Sequence, residues 1–144
     1  MKTLVVAPHA DDELLGCGGT MLRRLSEGGE TAWLLITEIN EENGWPPQIV
    51  LERQNEINKV RKGLSIKKEN FFCLNIPATK IEDFSPSIII EKISNVIREF
   101  EPEEVLLPNP GDIHSDHKIT FECAFSCTKK FRFPSIKKVL VYET

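Results

Sequence analysis

All three histidines of this chain, His9, His114 and His117, fall in two short polar segments. The first segment, residues 8–13, reads PHADDE, and the second, residues 111–117, reads GDIHSDH. Imidazole nitrogens and carboxylate oxygens together suit zinc and related divalent transition metals. The residue types therefore predict a metal site, provided that the fold brings the two segments together.

The carboxylates of the first segment also have a simpler interpretation. Asp11, Asp12 and Glu13 precede a helical pattern, and acidic side chains there complement the positive end of the helix dipole. Helix capping accounts for one or two carboxylates, but it does not explain why every histidine lies in the same two segments. We therefore favour the metal site.

A catalytic zinc has three protein ligands and an open position for water. A carboxylate that does not bind the metal can then act as a general base. The adjacent residues Asp11 and Asp12 provide one group for each task. The spacing alone does not say which aspartate takes which task.

The elements that must position these segments follow an alternating pattern. Near-continuous apolar runs predict five strands, at residues 3–7, 31–37, 70–74, 104–107 and 137–142. Apolar side chains at helical spacing predict four helices, at residues 14–26, 49–64, 87–100 and 117–128. This pattern is typical of a parallel sheet covered on both faces. We predict an α/β fold, a single-domain, Rossmann-like doubly wound sheet that is mostly parallel.

Each histidine segment directly follows a predicted strand, the first and the fourth. Ligands of doubly wound sheets bind beyond the carboxyl ends of the strands, at the point where the strand order reverses. Two strand orders fit the pattern, one with strand one beside strand four and one with strand one beside strand three. If strands one and four are neighbours, both histidine segments meet at one pocket.

The composition excludes several classes of function. Hydrophobic residues make up 40% and charged residues 28% of the 144 residues, which is ordinary for one globular domain. The net charge of −4 disfavours nucleic-acid binding, which needs a basic surface. No apolar run reaches the ~18 residues of a membrane span, and the apolar start is too short for a signal peptide. We expect a cytoplasmic protein that acts on a small molecule.

The segments PHADDELLGCGGTM, residues 8–21, and GDIHSDHK, residues 111–118, closely resemble the two signature motifs of the LmbE/PIG-L family. The similarity extends to Arg53, Glu56 and the pair 142–143, and Ala10 stands where proline is common. Members of that family are zinc-dependent deacetylases of N-acetylglucosamine-type compounds. The resemblance therefore implies one zinc ion and a hydrolase that removes an acetyl group from an N-acetylated amino sugar or its conjugate.

The same resemblance implies a role for each residue of the two motifs. The zinc ligands it implies are His9, Asp12 and His117. Asp11 corresponds to the general base and His114 to the group that stabilises the oxyanion. Asp116 corresponds to the residue that orients His114, and Arg53 resembles a substrate-contacting arginine.

Two other functions compete with the deacetylase. A receiver-like signalling domain also places an acidic pair after strand one, but it needs an aspartate where residues 74–75 are Leu and Asn. A non-catalytic metal- or carbohydrate-binding module of the same fold is the stronger alternative. Trp45, beside two prolines in a loop, either stacks on a sugar or fixes the loop.

The last predicted strand bears on the extent and assembly of the domain. Family members commonly continue beyond it, so we expect residues 1–144 to be a single deacetylase-like domain without the C-terminal part of the family fold. The strand carries Val139 and Val141 on one face and Leu140 and Tyr142 on the other. A strand that is apolar on both faces needs cover on both. A subunit partner, the long loops before the strand, or residues absent from this chain would supply that cover. The resemblance favours absent residues, with self-association as the consequence, so we expect a homo-oligomer.

Overall fold

The computed structural model describes residues 1–144, and all nine predicted elements are present. The strands are β1 (Lys2–Ala7), β2 (Glu30–Glu38), β3 (Phe71–Pro77), β4 (Glu104–Pro108) and β5 (Lys138–Tyr142). The helices are α1 (Asp12–Ser26), α2 (Pro47–Gly63), α3 (Pro86–Phe100) and α4 (Ser115–Ser126). None of these helices is both long enough and apolar enough to cross a membrane.

The five strands form one sheet with the order β3-β2-β1-β4-β5, and every neighbouring pair is parallel. Strand β1 therefore lies between β2 and β4, and Leu4 is paired with Val105. The alternative order, with strand one beside strand three, is excluded. The order reverses between β1 and β4, so the segments that follow these two strands meet above the sheet, as the doubly wound architecture predicts.

Helices cover both faces of the sheet, and each face has its own apolar core. Residues of α1 and α2, such as Met21 and Ile57, pack on one face of β1, β2 and β4. Residues of α3 and α4, such as Ile93 and Cys123, pack on the other face. The strands at the centre are apolar on both sides for this reason, which explains their near-continuous apolar sequences.

The boundaries of β3 and α4 differ from the predictions for a local reason in each case. Strand β3 continues to Pro77, past the polar Asn75, because Asn75 adopts a left-handed φ of +54° where the pairing register with β2 shifts. Helix α4 begins at Ser115, two residues earlier than predicted. The side chain of His114 accepts a hydrogen bond from the Asp116 N–H and so caps the helix.

Tyr142 connects β5, at the edge of the sheet, with β1 at its centre. Its hydroxyl donates a hydrogen bond to the backbone oxygen of Val6, at 2.8 Å. Its ring lies against α1 at Gly16, where a Cβ atom would overlap the ring. Gly16 therefore allows α1 to lie close to β5, because it has no side chain to overlap the ring.

Candidate metal centre

The first histidine segment is held at the end of β1 by contacts with β2. Thr37 donates two hydrogen bonds to the backbone oxygen of Pro8, from its N–H at 3.0 Å and from its hydroxyl at 2.8 Å. The His9 N–H then donates to Asp12 Oδ2 at 2.9 Å. Since Asp12 is the first residue of α1, its carboxylate is turned back toward the histidine. These contacts fix the segment in a tight turn above the sheet.

Three atoms from the two segments form a small triangle. Asp12 Oδ2 lies 3.2 Å from His117 Nε2 and 3.5 Å from His9 Nδ1, and the two nitrogens are 3.3 Å apart. Ligands at the zinc distances of about 2.0–2.1 Å in a tetrahedral site lie ~3.3 Å from one another. The spacing of the three atoms therefore fits one tetrahedral metal ion.

The surroundings of His9 also fit a metal ligand. The far nitrogen of its ring, Nε2, lies 2.8 Å from Asp116 Oδ2. This contact places a proton between Nε2 and the carboxylate and leaves the Nδ1 lone pair directed at the triangle. A ligating histidine that donates its other N–H to a carboxylate is the usual arrangement in zinc sites. Burial lowers the pKa of His9, but the hydrogen bonds and charges of Asp12 and Asp116 outweigh it and raise the pKa overall.

His117 has a comparable partner on its far side. Its Nδ1 lies 3.0 Å from Asp112 Oδ2, although the pair lacks the alignment of a hydrogen bond, and no other group contacts this buried nitrogen. The His114 N–H donates to Asp112 Oδ1 at 2.8 Å, and this bond holds the pKa of Asp112 below its ordinary range. With a proton on its Nδ1, His117 also directs a lone pair into the triangle. With both protons on the far nitrogens, three lone pairs face one another at these distances, an arrangement that a bound metal ion stabilises.

Asp116 is buried, and its carboxylate does not contact His114, the residue that the family resemblance implies it orients. Its Oδ2 accepts the contact from His9 and a hydrogen bond from the Thr79 N–H at 2.9 Å, while its Oδ1 has no partner. It contacts His114 through its backbone, whose N–H donates to His114 Nδ1 at 3.1 Å. The carboxylate thus orients His9, and the backbone N–H orients His114.

The contact between Asp116 and His114 decides which nitrogen of His114 carries a proton. Because a backbone N–H donates to Nδ1, that nitrogen is an acceptor, and the proton of the neutral ring is on Nε2. The His114 ring meets the His9 ring edge-on, with the ring centroids 4.7 Å apart. His114 therefore presents an N–H donor beside the triangle. His9, His114 and Asp116 form a second close set of ligand atoms, but His114 is exposed.

Asp11 lies beside the triangle without belonging to it. Its side chain is exposed and receives no capping hydrogen bond from α1, and its backbone N–H donates to Glu13 Oε2 at 3.1 Å. Glu13 is buried, and this burial raises its pKa to about 7. The two acidic residues that follow Asp11 therefore hold the segment in place, whereas the Asp11 carboxylate is free to act on a bound molecule.

A cavity of about 210 Å³ opens on the exposed side of the site. His9, Asp11, Arg53 and Trp45 contribute to its wall, so three of the residues expected from the sequence share one cavity. Arg53 reaches it from α2 and donates a hydrogen bond from Nη1 to the backbone oxygen of Ala10, at 3.0 Å. Arg53 therefore braces the first segment as well as facing the cavity.

Comparison with known families identifies the family of the chain. The sequence profile of the PIG-L family, described as GlcNAc-PI de-N-acetylase, matches residues 4–128 of the chain. The chain belongs to the PIG-L family. The resemblance carried by the two motifs is thereby confirmed.

Similar proteins include two that are named as deacetylases and one that is named only as a conserved protein. Diacetylchitobiose deacetylase from Thermococcus kodakarensis is 29% identical over 129 residues, which cover 81% of this chain and 45% of that protein. The structure of the conserved protein TT1542 from Thermus thermophilus superposes on this chain with a TM-score of 0.78 at 27% sequence identity. The superposition includes 99% of this chain and 66% of TT1542. The structure of N,N'-diacetylchitobiose deacetylase from Pyrococcus horikoshii, in complex with its inhibitor MPG, superposes with a TM-score of 0.76 at 23% sequence identity. This superposition includes 94% of the present chain and 52% of the deacetylase. The chain thus spans about half the length of the chitobiose deacetylases.

Some residues of the PIG-L site were not singled out from the sequence. Asp112 lies inside the second motif, and its place two residues before His114 is the signal that could have identified it. Thr79 gave no signal, because only its backbone N–H takes part. It adopts a left-handed φ of +62°, which costs a β-branched residue on the order of 1–3 kcal/mol. In this conformation its N–H donates to the buried carboxylate of Asp116.

Proposed function

We propose that this chain is a single deacetylase-like domain that carries the active site of a zinc-dependent N-deacetylase. The reaction joins water to an N-acetylated amino sugar or its conjugate and releases acetate and the free amine. One observation supports the proposal above all. The triangle of His9 Nδ1, Asp12 Oδ2 and His117 Nε2 has the edge lengths of a tetrahedral zinc site and adjoins a cavity lined by an uncommitted carboxylate.

The three residues of the triangle would hold the metal. Zinc bound there would act as a Lewis acid and would lower the pKa of a coordinated water toward ~7. Asp116 and Asp112, on the far sides of the two histidines, would keep the ligating nitrogens free of protons. The hydrogen bond of Asp116 would thus set the tautomer of His9, and the nearby charge of Asp112 would favour the corresponding tautomer of His117.

Asp11 is the proposed general base. Its carboxylate reaches the cavity, and the backbone around it is fixed by Glu13 and by the contact between Arg53 and Ala10. Asp11 would take a proton from the attacking water and deliver it to the departing nitrogen. A single carboxylate can serve both steps, because it is protonated by the first and regenerated by the second.

His114 is the proposed oxyanion donor. Its Nδ1 is occupied by the Asp116 N–H, so Nε2 offers a proton to the acetyl oxygen as negative charge develops there. Since the neutral ring already has this proton, His114 needs no second proton for the role. Arg53 would contact the substrate from the opposite wall of the cavity.

Acetate release by the zinc-loaded chain tests this function directly. N,N'-diacetylchitobiose and N-acetylglucosamine are the first substrates to use, with the metal content measured on the same preparation. We expect acetate release that a chelator abolishes and added zinc restores. A chain that binds zinc but releases no acetate from any N-acetyl sugar would instead be the non-catalytic module. The cytoplasmic location stays a prediction.

A further inference from the structure

Trp45 lies in a loop whose conformation is fixed before any ligand binds. Asn40 Oδ1 accepts hydrogen bonds from the N–H and the side-chain amide of Asn43, at 2.9 and 2.7 Å. Gly44 adopts a left-handed φ of +87°, which returns the chain so that Trp45 N–H contacts the backbone oxygen of Asn40 at 3.4 Å. The two prolines at 46–47 then begin α2. These contacts therefore hold the backbone of Trp45 in a defined place beside the start of α2.

The indole faces the proposed reaction site rather than the core. Trp45 is 46% exposed and lines the same cavity as His9 and Asp11, whereas Trp33, in the centre of the sheet, is 0% exposed. The hydrophobic core does not require an aromatic side chain at position 45. A large, rigid and half-exposed aromatic surface beside polar groups is typical of a binding site.

The cavity that Trp45 and Arg53 line adjoins a second cavity whose polar groups suit an uncharged ligand that carries hydroxyl groups. This second cavity, of about 480 Å³, shares Glu38 and Ile39 with the first. Its other lining residues are mostly amides and carboxylates: Asn40, Glu41, Glu42, Val50, Gln54 and Asn75. Amide and carboxylate oxygens accept hydrogen bonds from hydroxyl groups, and no Lys or Arg lines this second cavity to neutralise a phosphate.

We propose that Trp45 is a specificity-determining residue that stacks on the pyranose ring of an uncharged N-acetyl sugar. The inference rests on the proposed function and names the part of the substrate that contacts the cavity wall at Trp45. A pyranose of the glucose type carries its hydroxyl groups around the rim and C–H groups on its faces. The ring face packs on the indole, the N-acetyl group points to the triangle, and the rim hydroxyls meet the amides and carboxylates of the second cavity.

The two tryptophans allow this contact to be measured without turnover. N,N'-diacetylchitobiose is titrated into the zinc-loaded Asp11→Asn variant, in which hydrolysis is suppressed, while tryptophan emission is recorded. Because buried Trp33 also borders a cavity with Asp11 and Arg53, the change in emission is assigned to Trp45 by comparison with a variant that lacks this residue. We expect a saturable change that disappears in the double variant Asp11→Asn with Trp45→Phe, although calorimetry still detects binding by that variant.

Kinetics separate stacking from a structural role of the loop. We expect Trp45→Ala to raise KM for the disaccharide about tenfold, the factor that follows from losing roughly 50 Å² of apolar contact. We expect kcat to change less than about threefold and Trp45→Phe to restore most of the affinity, since it keeps an aromatic face. Phe131→Ala is the matched control, because Phe131 is 81% exposed and lines neither cavity. A fall in kcat with unchanged KM would indicate a structural effect and would overturn the proposal.

Three further outcomes distinguish this inference from the proposed function. Deacetylation by the parent with KM unchanged in Trp45→Ala would overturn the role of Trp45 and leave the deacetylase in place. Absence of turnover together with a normal emission titration would overturn the deacetylase and support the sugar contact. A preference for N-acetylglucosamine 1-phosphate over N-acetylglucosamine would overturn the assignment of an uncharged ligand.

Discussion

The carboxylate of Asp116 lies 2.8 Å from Nε2 of His9, a residue 107 positions away in the chain. Helix α4 and the end of β1 are brought together because β1 and β4 are neighbours in the sheet. The contact sets the tautomer of a proposed zinc ligand and leaves its other nitrogen free to bind. The Asp116 carboxylate therefore contacts His9, and its contact with His114 is made by the backbone, so that the role of Asp116 in orienting His114 stays a prediction.

This relationship predicts that Asp116→Ala weakens zinc binding. Removing the carboxylate leaves His9 free to rotate and to change tautomer, and loss of such partners costs roughly 10–100-fold in metal affinity. Zinc affinity is measured by competition with a chromogenic chelator. Asp83→Ala, at an exposed carboxylate in the short 3-10 helix of residues 81–83, is the control. Unchanged zinc affinity with a large loss of kcat would instead favour an action through His114.

The ligand assignment predicts different outcomes for the three histidines. We expect His9→Ala and His117→Ala to lose most of the bound zinc, because each removes one corner of the triangle. We expect His114→Ala to retain zinc and lose activity. Circular dichroism should show an intact sheet in all three variants, since these side chains lie beyond its apolar cores. Equal zinc loss in the three variants would disprove the assignment of ligands, though not the site.

The assignment of the base predicts a loss of rate without a loss of metal. Asp11→Asn keeps the size of the side chain but can no longer accept a proton, which is worth about 10²–10⁴ in kcat. Zinc content should equal that of the parent, because Asp11 lies outside the triangle. Acetate release within about threefold of the parent would exclude Asp11 as the general base.

A buried ion pair at the other end of the sheet predicts an acid-sensitive contribution to stability. Glu104, which is fully buried, accepts hydrogen bonds from Arg24 at 2.8 and 2.9 Å and from the Thr3 hydroxyl at 3.0 Å. The Arg24 guanidinium above all lowers the pKa of Glu104 from its ordinary 4.5 to about 2. A lowered pKa in the folded state stabilises the protein above the unfolded pKa, and this stabilisation is lost as the pH falls through the folded pKa.

The corresponding test compares the parent with Glu104→Gln in urea at several pH values. At neutral pH we expect the variant to be less stable by about 2 kcal/mol, a value reduced from the full shift to allow for solvent screening. The difference should shrink as the pH falls from about 4.5 toward 2. If the two proteins lose stability in parallel across that interval, Glu104 is not the group responsible.

The position of β5 at one edge of the sheet predicts that the chain self-associates. The outer backbone groups of β5 have no neighbouring strand, and Val141 is exposed. An open edge with apolar side chains favours pairing with another chain. Light scattering at tens of micromolar protein should therefore report a species larger than the monomer, and Val141→Lys should reduce it. A monodisperse monomer would contradict the expected homo-oligomer.

The sequence by itself determined the number, type and order of the elements. Strand and helix periodicities are local properties of the chain, and buried strands such as residues 31–37 need apolar residues on both faces. The motif residues could also be found in this way, because all the histidines follow two strands. The resemblance then assigned roles to residues such as His9 and Asp11 that spacing alone left open.

The tertiary structure decided which strands are neighbours and which atoms meet. The sequence allowed β1 to lie beside either of two strands, and only the packed sheet placed it next to β4. The contact of Asp116 with His9, and the backbone N–H that Thr79 contributes to it, depend on the orientation of α4 above the sheet. Such contacts join residues far apart in the chain, so they follow from how whole elements pack and not from any local pattern.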